Sequence, residues 1–140
     1  MDKPKENTTR RFRLIEELEL AEKNKESNTF SLGLEDSEDR SLTHWNGLIF
    51  GPPGTNFSNG LYTLKIVTGP NYPLQPPLVK FITKINIPSV NKSNGEVDPK
   101  TFPILAKWKK ETKLNEILSA LLNEMKSNPK LPQPKEGENF

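Results

Sequence analysis

Between positions 114 and 125, Leu114, Ile117, Leu118, Leu121, Leu122 and Met125 fall at i, i+3, i+4, i+7, i+8 and i+11. That spacing draws one continuous apolar stripe along a helix, and such a stripe must be covered. Thr112 stands where a cap is expected. Asn128-Pro129 ends the helix, because proline has no N–H for the next turn and its ring clashes with the turn before. The surface that covers the stripe is written upstream, where the period changes to two. "TFSLGLE" alternates Phe30, Leu32 and Leu34. "SLTHWNGLIF" runs up to Gly51, "LYTLKIVTG" sets Tyr62, Leu64 and Ile66 against Leu61, Thr63 and Lys65, and "LVKFITKI" carries Val79 and Phe81. Turns rich in Gly, Pro, Asn and acidic residues separate these segments. Four such strands in succession predict an antiparallel meander. A first helix precedes them. In "TTRRFRLIEELELAEKN", Leu14, Ile15, Leu18 and Ala21 recur at helical spacing, glutamates take the other face, and Thr8 or Thr9 can cap the start.

The chain is therefore expected to be α+β. Its order is an N-terminal helix, a four-stranded antiparallel meander, a long loop over residues 83–108, a long helix and a short tail. The tail, "KLPQPKEGENF", carries prolines that forbid a further C-terminal helix. At 140 residues, one domain over 1–140 is expected, with 1–8 and 133–140 as flexible ends.

Composition narrows the function. A net charge of +2 is too mild to argue for a nucleic-acid partner. The charge is uneven: residues 1–13 hold five Lys/Arg against two acids, and residues 14–26 hold five Glu against two Lys. Such runs read as solvated faces or as the footprint of a protein of matching charge. The chain has no cysteine, so it has no disulfide framework, no thiolate metal site and no cysteine nucleophile. Its longest aliphatic or aromatic run, Leu48-Ile49-Phe50, is far short of a membrane span. "MDKPKENTTR" lacks the apolar centre of a secretory signal, so cytoplasm and nucleus are the expected compartments.

The loop "TKINIPSVNKSNGEVDPKTFPILAKW" has the punctuation of an active site, with prolines and an Asn-Gly turn in a long irregular run. Yet its hydroxyls, on Thr83, Ser89, Ser93 and Thr101, have no base beside them in sequence. The one histidine, His44, lies mid-strand next to Trp45 and reads as a surface or packing residue. "GPPGTNFSNG" bears glycines but lacks the lysine of a phosphate cradle. No metal and no cofactor are expected.

The stretch "FGPPGTNFSNGLYTLKIVTGPNYPLQPPLVKFITKI" resembles the central strands of the ubiquitin-conjugating family. Three motifs carry the likeness: Gly51-Pro52 with Thr55, Phe57 and Gly60; Tyr72-Pro73 with Pro76-Pro77; and the strand from Phe81 to Ile85. It extends over roughly residues 10–134 and includes Trp108 ahead of the long helix. Active members carry His-Pro-Asn, and further on the cysteine that holds ubiquitin as a thioester. The matching positions here are Ile87-Pro88-Ser89 and, after a one-residue insertion near Asn94, Asp98. A thioester needs a soft nucleophile that accepts an acyl group and releases it to an amine. A carboxylate would form only a hydrolysable anhydride. The missing asparagine is an oxyanion donor, a loss of about 3 kcal/mol in such sites. No catalytic residue is therefore expected.

The resemblance is to the cysteine-less branch, through "FRLIEELE", "LGLED", "LAKW" and "LPQP". It implies a heterodimer with an active ubiquitin-conjugating enzyme and a weak, non-covalent hold on acceptor ubiquitin. The implied product is a lysine-sixty-three-linked chain. It places the partner anchor at Phe12, with Arg10, Arg11 and Arg13 as basic neighbours. Leu42 and the acidic 35–40 turn are weaker candidates for the same face. It places acceptor ubiquitin over Ser31, Asn46 and Leu61. The alternative is a ubiquitin- or peptide-binding adaptor that builds no chains, and Phe12 and the tail count against it.

Overall fold

The computed structural model describes residues 8–23, 29–135 and 137–140. Helix α1 spans Thr8–Lys23, and strands β1 Phe30–Leu34, β2 His44–Phe50, β3 Leu61–Val67 and β4 Leu78–Phe81 follow it. A one-turn helix, α2, Pro103–Ala106, lies in the long loop, and α3 spans Leu114–Ser127. The sheet has the order β1-β2-β3-β4, and each strand pairs antiparallel with the next. The meander and the helix–sheet–helix order are as expected; α2 is an addition.

Alternation divides the sheet into two faces. Leu32, Trp45, Ile49, Leu64, Ile66, Val79 and Phe81 point inward and are buried. All six residues of the α3 stripe are buried against them. Gly47 brings α3 close to β2: a Cβ there would lie 2.9 Å from Leu118 Cδ2. Leu14 and Ala21 of α1 complete the core.

The caps differ from expectation. Thr8 and Thr9 lie inside α1, and the residue ahead of it falls outside the described residues. The expected flexible end over 1–8 lies almost wholly outside them too. At α3 the capping position is Lys113, not Thr112. The free donors are met by glutamates instead: Lys113 N–H donates to Glu116 Oε2 at 2.9 Å, and Leu114 N–H to Glu17 Oε1 at 2.5 Å.

In the tail, where a flexible end over 133–140 was expected, Gln133, Glu138 and Phe140 bond the chain segment after β4. Gln133 and Asn86 exchange two bonds, Asn86 N–H to Gln133 Oε1 at 2.9 Å and Gln133 Nε2 to Asn86 O at 2.9 Å. Lys84 N–H donates to Glu138 O at 2.8 Å and Phe140 N–H to Ile82 O at 3.0 Å. The reason is that a proline-rich segment makes few bonds within itself, so its carbonyls and Gln133 are open to a neighbouring edge. After Phe81 the N–H groups of Ile82 and Thr83 both donate to Thr63 O, so the regular ladder ends there.

Phe140 packs over Gly95, which has φ +84°. A Cβ on Gly95 would lie 2.5 Å from Phe81 O and 2.5 Å from the Phe140 ring. Gly95→Ala is therefore expected to destabilise the protein by about 2 kcal/mol, from left-handed strain and displacement of the tail. Urea unfolding would measure it, with Gly33→Ala as the control because nothing lies within 4 Å of where a Cβ would stand there.

Candidate functional site

The site-like loop is fastened at Ser89, Lys92 and Asp98. Ser89 is buried, at 5% exposure. Its hydroxyl donates to Glu124 Oε1 at 2.7 Å and its N–H to Glu124 Oε2 at 2.9 Å. Both oxygens of an α3 carboxylate therefore hold one loop residue. The Ser89 carbonyl accepts from Asp98 N–H at 2.7 Å. Asp98 turns its own carboxylate onto Lys100 N–H at 2.8 Å, and its carbonyl accepts from Phe102 N–H at 3.0 Å. Asp98 thus shapes the turn that leads into α2. Ile87 is fully buried, and Pro88 is exposed at the bend. Lys92 Nζ donates to Ile87 O at 2.7 Å. Burial lowers the Lys92 pKa, and Glu124 opposes that shift. The Ser89 hydroxyl is buried against Glu124, and the arrangement holds no thiol that could carry a thioester. It is the backbone of a reaction site, with its side chains used as fasteners. Among the described residues no group of three His, Asp or Glu could hold a metal ion.

The second region is the start of α1. Phe12 is 65% exposed. The three arginines expected as its basic neighbours turn away from it. Arg10 donates to Gly69 O at 2.9 Å, to Ser41 O at 2.8 Å and to Thr68 O at 3.0 Å. Arg11 donates to Arg40 O at 2.9 Å. Arg13 donates to the carbonyls of Lys110 and Thr112, pairs with Glu17 at 3.2 Å and lies 5.9 Å from the Tyr72 ring centroid. Arg10 and Arg11 tie α1 to the turn between β1 and β2, Arg10 also to the residues after β3, and Arg13 to the segment before α3.

Leu42 is a correction. It was expected on the partner face but is buried, at 6% exposure, in a left-handed conformation with φ 55°. Its carbonyl accepts from Trp45 Nε1 at 2.8 Å and Thr68 Oγ1 at 2.8 Å. Asp39 holds the turn in this shape. Its carboxylate accepts from Ser41 Oγ at 2.5 Å and from the N–H groups of Ser41, Thr43 and His44. The Ser41 hydroxyl, the His44 N–H and its other donors lower the Asp39 pKa to about 2.

The third region is the outer face of the sheet. Ser31 pairs with Leu48, which pairs with Thr63. Asn46 lies between Gly33 and Lys65, and Leu61 opposite Phe50. Ser31, Asn46 and Leu61 alternate with the buried Leu32, Trp45 and Tyr62, so all three share the face turned away from the helices. Ser31 is half-buried, Asn46 is exposed, and Leu61 is 57% exposed.

Sequence reasoning missed Glu17, which it placed on the polar face of α1. Glu17 is 2% exposed. It accepts from Leu114 N–H and from the Tyr72 hydroxyl, and it pairs with Arg13. Burial raises its pKa, against the lowering effect of those donors. Burial and the Glu17 charge raise the Tyr72 pKa. The signal was present: Leu14, Glu17 and Ala21 stand at i, i+3 and i+7, so the period itself puts Glu17 inward.

A sheet with this register, backed by α3 and bearing a site-like loop between β4 and α3, defines a ubiquitin-conjugating fold. The chain matches the family described as "Ubiquitin-conjugating enzyme" over residues 13–139, and it belongs to that family. Within the family it stands with the cysteine-less variants and is catalytically inactive by itself. It is 50% identical to "Ubiquitin-conjugating enzyme variant MMS2" of Saccharomyces cerevisiae, over 94% of this chain and 96% of that one. It is 43% identical to "Ubiquitin-conjugating enzyme E2 variant 1B" of Arabidopsis thaliana, over 91% of this chain and 82% of that one. The solved structure of human ubiquitin-conjugating enzyme E2 G1 superposes with a TM-score of 0.70 at 32% identity, covering 81% of this chain and 91% of that one.

Proposed function

We propose that this chain is the non-catalytic subunit of a ubiquitin-conjugating complex. It pairs with an active conjugating enzyme through the Phe12 face of α1. It holds acceptor ubiquitin on the outer sheet face over Ser31, Asn46 and Leu61. One acceptor lysine is thereby aimed at the thioester on the partner's cysteine, and lysine-sixty-three-linked chains result. The observation that carries this reading is a retained reaction-site backbone in a chain without cysteine, where Ser89 is buried against Glu124 and Asp98 is spent on a local turn. No bond is made by this subunit; it supplies proximity and orientation. The acceptor face is small and polar around Ser31 and Asn46, which suits a weak site that must release its product. The work is in DNA-damage tolerance or signalling, in nucleus and cytoplasm.

The test is a reconstituted reaction with activating enzyme, ubiquitin, ATP-magnesium and an active conjugating enzyme, with and without this chain. Linkage-specific chains are expected only when it is present, with no reducible ubiquitin adduct on it. No stimulation by a folded protein with any conjugating enzyme tried would overturn the reading. Ser31→Arg is expected to leave the heterodimer intact on gel filtration and to stop chain growth, because a long cation would stand where acceptor ubiquitin docks. Asp98→Ala is expected to change chain synthesis less than about twofold, since only a local turn bond is lost, worth about 1 kcal/mol of stability. Thermal unfolding beside the chain assay would read both effects.

A further inference from the structure

A cleft of about 590 Å³ lies between the loop that joins β2 to β3 and the C-terminal tail, a volume within the range of small-molecule sites. Its walls are held by main-chain bonds. Gly51 N–H donates to Gly60 O at 2.9 Å, Asn56 N–H to Pro129 O at 2.7 Å and Lys84 N–H to Glu138 O at 2.8 Å. The side chains that line it are therefore left over from the fold. Ser58, Asn59, Lys84, Lys135 and Asn139 line the cleft, and among the described residues none of their side chains has a hydrogen bond or ion pair. No Asp or Glu lines it among the described residues. Glu138, the described carboxylate of the tail, is spent on the Lys135 N–H at 3.0 Å. Phe57 and Tyr62 form the inner wall but are 1% and 7% exposed, with their rings edge to face at 6.1 Å. Neither offers a face on which a base could stack.

We propose that this cleft binds a small phosphorylated polyol. Two ammonium groups and no carboxylate call for an anion of about two charges, which is what a phosphate monoester carries at neutral pH. Lysine meets phosphate as a point charge, whereas a planar carboxylate is matched by the fork of arginine, and no arginine lines the cleft among the described residues. The amides of Asn59 and Asn139 and the Ser58 hydroxyl can donate and accept, so they fit the hydroxyls of a polyol. A nucleotide fits less well, because its base has no ring to stack on. The walls are fixed before binding, so little ordering accompanies it. Leu61 stands at the rim and also on the face proposed for acceptor ubiquitin. An occupied cleft therefore crowds that face and raises the KM for acceptor ubiquitin. This consequence rests on the proposed function; the binding itself does not.

The experiment is an amide NMR titration of the full chain with fructose 1,6-bisphosphate, beside inorganic phosphate and glucose. Saturable shifts are expected at the amides of Asn59, Gly60, Lys84 and Asn139 with fructose 1,6-bisphosphate. Inorganic phosphate is expected to bind the same amides about tenfold more weakly, and glucose to move none of them. Lys84→Met with Lys135→Met keeps the apolar stems and removes the charges. That double variant is expected to raise Kd at least about tenfold, with thermal unfolding as in the wild type. Shifts that are absent, or that spread over other lysines and survive the double substitution, would overturn the site. Vesicles of phosphatidylcholine with added phosphatidylinositol phosphate separate two sources of such a ligand. Sedimentation with them that is lost in the double variant assigns a membrane headgroup; binding of the sugar phosphate alone assigns a soluble one. In the reconstituted reaction, with magnesium in excess, fructose 1,6-bisphosphate is expected to raise the KM for acceptor ubiquitin about fivefold in the wild type and not in the double variant. Amide shifts with an unchanged KM refute the coupling and leave the site. Amide shifts in a chain that supports no synthesis remove the proposed function and also leave the site.

Discussion

Phe12→Ala is expected to weaken the heterodimer at least ~30-fold and to abolish lysine-sixty-three-linked synthesis at sub-micromolar concentrations. The expectation follows from what Phe12 does in the free chain. It is 65% exposed and makes no contribution to the core, so its removal leaves the fold intact. A large aromatic side chain kept in water on a helix anchored by three arginine tethers is held ready for a socket elsewhere. Because those tethers are backbone bonds, the helix is rigid and little ordering accompanies association. The measurement is paired: calorimetric Kd for the conjugating partner, and chain assembly at rising concentrations of both subunits. Recovery of synthesis at high concentration would confirm that Phe12 acts through assembly. A Phe12→Ala chain that binds and builds chains normally would place the partner on another surface.

Glu17→Ala has the largest expected effect on stability, a loss of about 3–5 kcal/mol. Glu17 joins three elements through one carboxylate: α1, which carries it, the Tyr72 turn and the first N–H of α3. Truncation leaves the Leu114 N–H, the Tyr72 hydroxyl and the Arg13 guanidinium without their acceptor in a dry site. Such a loss is a large fraction of the 5–15 kcal/mol that holds a typical domain folded. Urea unfolding would measure it. Glu17→Gln is expected to lose less, since an amide oxygen can still accept from one of these donors.

The pH dependence gives a second readout. Burial raises the Glu17 pKa above its ordinary 4.5. A raised carboxyl pKa favours the folded state below 4.5, and that contribution is lost as pH rises through the folded value. The stability of the wild type relative to Glu17→Gln should therefore increase as pH falls through that window. Asp39 runs the other way. Its pKa falls from 3.8 to about 2, so its contribution is present above 3.8 and is lost as pH falls towards 2.

The order of elements was legible in the sequence because each rests on a local period. Six apolar residues at helical spacing make α3, and alternation in four short segments makes the meander. The emptied reaction site was legible for a chemical reason: a chain without cysteine cannot carry a thioester, wherever its atoms lie. Likewise, alternation with buried neighbours puts Ser31, Asn46 and Leu61 on one face.

Direction and pairing across the chain were not legible. Nothing local says that Arg10, Arg11 and Arg13 turn from Phe12 to carbonyls 29 to 99 residues away. Nothing local says that Leu42 is inside, since its burial follows from the turn that Asp39 closes around it. Glu17 counts as a surface glutamate until Tyr72 and Leu114 arrive from 55 and 97 residues away. Nothing local says that the tail bonds residues 82–86, because an edge with open N–H and C=O groups will take any extended segment that reaches it. The sequence by itself determined the elements, their order and the loss of the nucleophile, which depend on spacing and residue chemistry. Only the tertiary structure decided which charges stay at the surface and which hold the fold, because a side chain takes its role from groups that are distant in sequence and adjacent in space.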